Sequence, residues 1–218
     1  MLARNQSKLR IVYSALNVKI WEQQIPSVGA ARPASCPCCK TPGAEIGERI
    51  GIVGHGLRPR MQTGIDGVDG HPFDNEVTVR RYRCRNCGAV ITVMPSGLLP
   101  QTRYRAEAIL LGLVLWVVEG RPSVQVRRLV SNRLGMSTEA ERGWPSLRRW
   151  MSKVWQWWGL RRPPSGRRNR QAMVEALLQQ LAARALVPAG ALVASALDAV
   201  SHFHCHGGKT TREATPTN

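Results

Sequence analysis

Hydrophobic and polar positions change rhythm twice along the chain. From Leu9 to Trp21, β-branched and aromatic residues mix with polar ones, a pattern that fits a strand or a short helix equally. Pro26 to Pro42 is rich in Pro, Ala and Gly, and Ile52-Val53 is a short apolar piece before Gly54-His55-Gly56. Met61 to Asn75, punctuated by Gly64, Gly67, Gly70 and Pro72, reads as an exposed loop. Glu76 to Arg83 then alternates in part and is β-branched, which predicts a strand. Ala89 to Val93 predicts its hairpin partner, and Pro95 to Pro100 closes the β part.

Beyond Arg103 the period becomes helical. Arg103 to Glu119 predicts a helix with a broad apolar face, ended by Gly120 and Pro122. Ser123 to Leu134 predicts a second, with Val124, Val126, Leu129, Val130 and Leu134 at or near its inner side. Gly135 follows it, and after a further eight-residue connection Trp144 to Trp158 predicts a third, with Pro145 in its first turn. Its apolar stripe is Leu147, Trp150, Met151, Val154, Trp157 and Trp158. Arg161 to Arg170 is a basic linker, Gln171 to Leu186 a neutral amphipathic helix, and Ala189 to Val200 a further helix. The Gly- and Thr-rich tail after His206 reads as disordered. The expected divisions are 1–32, a β part over 33–100, a helical part over 101–160, the linker 161–170, helices over 171–206 and the tail 207–218.

Charge sharpens this picture. The 218 residues carry a net charge of +17, unevenly spread. Residues 76–170 hold nineteen basic and five acidic residues, net +14, whereas 171–218 balance at three each. Most of these cations are Arg, whose planar fork suits phosphate and guanine edges. A nucleic acid is the expected partner, with an anionic membrane surface or an acidic protein as alternatives. The N-terminus is polar and interrupted by charge, unlike a secretory signal. The longest apolar run, Ala108 to Val118, is eleven residues, too short to span a bilayer. A reducing cytoplasm is expected, and there cysteines serve as metal ligands rather than disulfides.

Six cysteines are present, and four form two Cys-x-x-Cys pairs: Cys36 with Cys39, and Cys84 with Cys87. Two such knuckles predict one tetrahedral Zn²⁺ held by Cys36, Cys39, Cys84 and Cys87. The Cys84–Cys87 turn would sit at the hairpin tip, with Gly88 supplying a positive φ. Cys38 competes for the first knuckle, but Cys36 and Cys39 keep the spacing of the second pair. The bland alternative is six structural thiols without metal. His202, His204, Cys205 and His206 are a weaker candidate for a second metal.

Helix, connection and helix over 123–158 suggest a helix-turn-helix, with Arg148 and Arg149 facing DNA and Leu147, Trp150 and Met151 holding the core. Ser146 would bond a phosphate or a base, and Lys153 falls on the same outer side. Against this stands an ordinary helical bundle with a solvated basic face. Arg80, Arg81, Arg83 and Arg85 crowd the hairpin as phosphate contacts or as a solvated strand face. The linker residues Arg161, Arg162, Arg167, Arg168 and Arg170 follow a minor groove or are simply flexible. The tryptophans Trp150, Trp155, Trp157 and Trp158 are core residues or, alternatively, stacking platforms for RNA. After Glu141 only Glu175, Asp198 and Glu213 remain, too few carboxylates for a Mg²⁺-dependent nuclease or transposase core. No enzymatic activity is expected.

Cys36-Pro37-x-Cys39, Gly54-His55-Gly56 with Arg58 and Arg60, Val79-Arg80-Arg81-Tyr82-Arg83-Cys84-x-x-Cys87, Met94-Pro95, and Leu98-Leu99-Pro100 with Tyr104 form one set. Together they resemble a family of bacterial zinc-ribbon proteins of unassigned function. Similar ribbons, followed by helix-turn-helix, form the N-terminal part of some insertion-sequence transposases. The resemblance covers roughly residues 33–155. It departs at Lys40, where a Gly often closes the first knuckle, and lacks a catalytic domain downstream. It implies a DNA-recognition module, acting beside a separate transposase of a mobile element. The expected fold class is therefore α+β: a four-cysteine zinc ribbon of short β-hairpins followed by a helix-turn-helix-like region. The expected function is double-stranded DNA binding without catalysis. A transcriptional regulator, an RNA-binding protein and a zinc-stabilised interaction scaffold are the alternatives.

Overall fold

The computed structural model describes residues 10–44, 49–65, 71–132, 143–163 and 169–184, together with 196, 197 and 199. The ambiguous N-terminal stretch forms both elements that its pattern allowed. Strand β1 (Arg10–Asn17) runs into helix α1 (Val18–Gln23). Asn17 makes the switch, its side chain accepting from the Ile20 amide at 2.9 Å. Three further strands follow: β2 (Ile52–Ile65), β3 (Pro72–Cys84) and β4 (Val90–Ser96). The sheet order is β1-β4-β3-β2, with β1 parallel to β4 and the other pairs antiparallel. The predicted hairpin is present, with Arg83 opposite Val90 and the second knuckle between the strands.

The β part is larger than the short hairpins expected. The β2–β3 arm pairs Ile52 with Cys84 at one end and Ile65 with Pro72 at the other. Within Met61 to Asn75, residues 62–65 are buried strand and 72–75 pair with them rather than forming an exposed loop, while 66–70 lie outside the described residues. The physical reason is a polar clamp that a linear reading does not reveal. Glu22 of α1 accepts from Gln62 at 2.7 Å, Asn75 at 2.5 Å and Arg105 at 2.5 Å. Thr63 bonds the chain leading into the helices through Arg103 at 2.6 Å and Arg105 at 2.9 Å. Burial of these polar residues is tolerated because they find partners.

Four described helices complete the chain: α2 (Ala106–Val117), α3 (Ser123–Val130), α4 (Pro145–Trp157) and α5 (Arg170–Ala182). Every residue of α2 from Ala106 to Leu115 is buried, so it is wrapped rather than one-faced. Gly112 marks where its neighbours close in; a Cβ there would lie 3.1 Å from Trp150 and 3.7 Å from Val126. In α3 only Val126 and Val130 are buried, one turn apart, and Leu129 is exposed. This helix ends at Val130 rather than Leu134, because Ser131 turns to an extended conformation and bonds Tyr104 at 3.1 Å. The predicted stripe of α4 is buried as expected, with Trp155 added. Tyr104, Trp144 and Trp150 pack edge-to-face with centroids 4.7–5.7 Å apart and pin the start of α4.

Two apolar cores result. One fills the sheet half around Trp21, Ile52, Tyr82, Ile91 and Met94. The other surrounds α2 and takes in α3, α4, α5 and Ala196, Leu197 and Ala199. The rest of the predicted last helix and the tail lie outside the described residues. Among the described residues no helix is long and apolar enough to cross a membrane.

Candidate metal centre and basic surface

The two knuckles fold with the same backbone hydrogen bonds. Lys40 N–H donates to Cys36 O at 2.9 Å, and Gly88 N–H to Cys84 O at 3.0 Å. Cys36 N–H donates to Thr41 O at 2.8 Å, and Cys84 N–H to Ala89 O at 3.0 Å. Each knuckle therefore turns through a residue of positive φ, 64° at Lys40 and 70° at Gly88. That repetition aims four sulfurs inward. The Sγ atoms of Cys36, Cys39, Cys84 and Cys87 all lie within 4.8 Å of one another. Cys36 is 3.7 Å from Cys87, and Cys39 is 3.6 Å from Cys84. A tetrahedral Zn²⁺ with bonds of about 2.3 Å needs sulfurs about 3.8 Å apart. The four thiols thus fit one metal ion, and among the described residues no other group of three or more metal-ligating side chains converges.

Cys38 is excluded from the set. Its backbone amide donates to Cys36 Sγ at 3.4 Å, its own sulfur receives Arg10 at 3.4 Å, and it is exposed. The Thr41 hydroxyl is hydrogen-bonded to Cys39 Sγ at 3.0 Å and accepts from Asn86 of the other knuckle at 2.9 Å. Thr41 carries no signal in the sequence, since its role appears only once the knuckle closes. Its bond is the main cause that lowers Cys39 to about 6. Burial raises Cys36. Cys87 lies at the exposed rim but its sulfur faces the other three, and desolvation followed by those neighbours pushes it up to about 12. Crowded thiols resist becoming four thiolates together unless a cation gathers them.

The basic residues divide by what already holds them. Arg80 is half-buried and its Nε donates to the Pro26 carbonyl, so this guanidinium has a structural bond. Arg60 likewise donates to Leu99 O and to Thr102 O, the latter at 2.5 Å. Arg81 is half-buried, whereas Arg83 and Arg85 are exposed at the metal end of the hairpin. On α4, Arg148, Arg149 and Lys153 are exposed and Ser146 is half-buried, on the outer side as expected. Lys153 stands 5.8 Å above the Trp157 ring. Arg161 and Arg162 are exposed. Arg167, Arg168, His202, His204, Cys205 and His206 lie outside the described residues. So do residues 133–142, within the connection between α3 and α4 that would define a helix-turn-helix. No family model matches the chain, and no curated protein or solved structure is significantly similar to it.

Proposed function

We propose that the chain is a zinc-dependent, non-catalytic protein that binds double-stranded DNA, a recognition component working beside the transposase of a mobile element. One observation carries the DNA part: the converged sulfurs adjoin arginines that have no acidic partner among the described residues. The ion pairs among those residues are Arg105 with Glu22 and Arg121 with Glu119, and neither involves the exposed set. Arg83, Arg85, Arg148, Arg149, Lys153 and Arg161 form no ion pair with a described carboxylate. Unpaired guanidinium groups on a rigid frame attract a phosphate backbone and release its counterions on binding. The metal part rests on sulfur spacing that matches tetrahedral thiolate coordination. The zinc-ribbon resemblance supports the mobile-element role.

Metal analysis of purified protein tests the first part, with about one equivalent of zinc expected. Binding to random duplex DNA over a salt series tests the second. The logarithm of affinity should fall linearly with the logarithm of salt. Undetectable duplex binding at low salt removes the DNA reading, and tight binding to an acidic protein instead would favour the scaffold.

A further inference from the structure

The surface between α2, α4 and α5 holds a cleft of about 510 Å³, lined by Trp116, Ser123, Trp144, Arg148, Arg149 and Arg170. A second hollow of about 330 Å³ adjoins it and shares Trp116 and Arg170. No carboxylate lines either one among the described residues. Three guanidinium groups therefore share one concavity without an acidic partner. Arg170 is held there, 4.8 Å above the Trp116 ring. Two helices also begin at this place: Pro145 opens α4 and Arg170 opens α5, and neither has an acidic residue in its first turn. Their dipoles add some positive potential to that of the arginines, although Pro145 carries no N–H and the Ala172 amide already donates to the Asn169 side chain at 3.0 Å. The charge calls for a concentrated anion, and the ring surfaces of Trp116 and Trp144 call for a flat group beside it. The volume suits a small ligand of nucleotide size.

We infer that this cleft binds a phosphate ester of a nucleotide, with the phosphate on Arg148, Arg149 and Arg170 and the base against the tryptophans. The inference rests on the DNA reading only for the source of the ester, a strand end or a free nucleotide. It also assigns Arg148 and Arg149 to phosphate rather than to base edges in a major groove. Phosphate suits paired guanidinium forks, and converging helix N-termini favour anions over neutral base edges.

The test titrates zinc-loaded full chain with four probes: a short 5′-phosphorylated DNA single strand, the same strand without the phosphate, deoxyadenosine monophosphate and inorganic phosphate. Tryptophan fluorescence and calorimetry report binding. The phosphorylated strand should bind more tightly than its unphosphorylated counterpart. Arg148→Gln and Arg170→Gln should each weaken it about tenfold, the loss of one charge-assisted bond. Lys19→Gln, an exposed cation on α1 in the sheet half, should leave it unchanged, and thermal melts should show all three variants folded. Equal binding of the free nucleotide supports the inference and makes that the source. Inorganic phosphate binding as tightly as the nucleotide would overturn the role given to the tryptophans. Phosphate probes that do not saturate, or that ignore Arg148→Gln and Arg170→Gln, overturn the site even where duplex binding persists. Saturation by the ester without any duplex binding keeps the site and removes the duplex reading instead.

Discussion

Lys40 and Gly88 occupy the same place in the two knuckles, yet only one of them is suited to it. Both have a positive φ, and both donate their amide to the first cysteine of the pair. A side chain in that region costs on the order of 1 kcal/mol. Lys40→Gly should therefore raise stability by about 0.5–1 kcal/mol in urea unfolding of the metal-loaded protein. Gly88→Ala should lower it by about 1 kcal/mol, through the backbone alone, since nothing lies within 4 Å of the added Cβ. A second expectation concerns protons. Cys36 is raised and Cys87 is pushed up to about 12, so both are thiols at neutral pH, whereas Cys39 at about 6 is largely ionised. Metal must displace the protons of Cys36 and Cys87, so affinity rises with pH. Competition against a chelating dye between pH 6.5 and 7.5 should show a gain of at least about 100-fold, one decade for each of these two displaced protons. A pH-independent affinity would contradict the ligand set. Cysteine spacing made this centre legible, because a knuckle is a local structure. The fate of Arg80 was not legible, because its partner Pro26 is distant in sequence and reached only through the folded sheet.

At the scale of elements, the hairpin around Cys84 and Cys87 could be read from β-branched alternation, and α4 from its helical stripe. Both bury one face, which is what periodicity reports. Gln62, Thr63 and Asn75 defeated the same reading, since they are polar and held through bonds to α1 and to the approach of α2. Of the glycines that suggested a loop, Gly64 lies inside the paired strand opposite Phe73, and Gly67 and Gly70 lie outside the described residues. Helix α2 shows another hidden feature. Glu107 is buried among apolar neighbours, and neither carboxylate oxygen has a hydrogen-bond partner among the described residues. Desolvation raises its pKa above the ordinary value of 4.5, against the opposing pull of its own backbone amide and of Arg105. A carboxyl raised in the folded state is neutral there while the unfolded chain ionises. Stability is then lost as pH climbs above the unfolded value, until the folded group ionises as well. Wild-type protein should melt lower at pH 7 than at pH 4.5 relative to Glu107→Gln, which cannot ionise. Parallel melting curves for the two proteins across that range would show that Glu107 is already charged in the fold.

At the scale of the molecule, the four-cysteine site and the helices belong to different cores. Cys36 and Cys84 belong to the buried cluster of the sheet half, with Trp21, Tyr82 and Ile91. The cluster around α2 contains none of the four cysteines. Connections between the halves do exist: Arg105 bonds Glu22, and Ile65 and Leu99 of the β part pack into the helical core. Binding of a metal there would nevertheless act on the knuckles, tying Cys36 in the chain before β2 to Cys84 at the end of β3. Removing the ion leaves four thiols crowded together and no metal bond across that junction. Chelation of the zinc-loaded protein should therefore open the sheet half first. Amide exchange should rise by orders of magnitude in β3 and β4 while α2 and α4 remain protected, and the helical circular-dichroism signal should change little. Cys84→Ser should reproduce that pattern without chelator, because it removes a buried ligand from the sheet end. Duplex binding should then weaken mainly through Arg83 and Arg85, whose backbone the knuckle fixes, and the salt slope should drop by about one for each phosphate that these arginines no longer neutralise. Binding through Arg148, Arg149 and Arg170 should survive, because α4 and α5 are held by the metal-free core. Simultaneous loss of protection in both halves on chelation would mean that the two cores unfold as one unit, and that the metal supports the whole basic surface rather than its ribbon end.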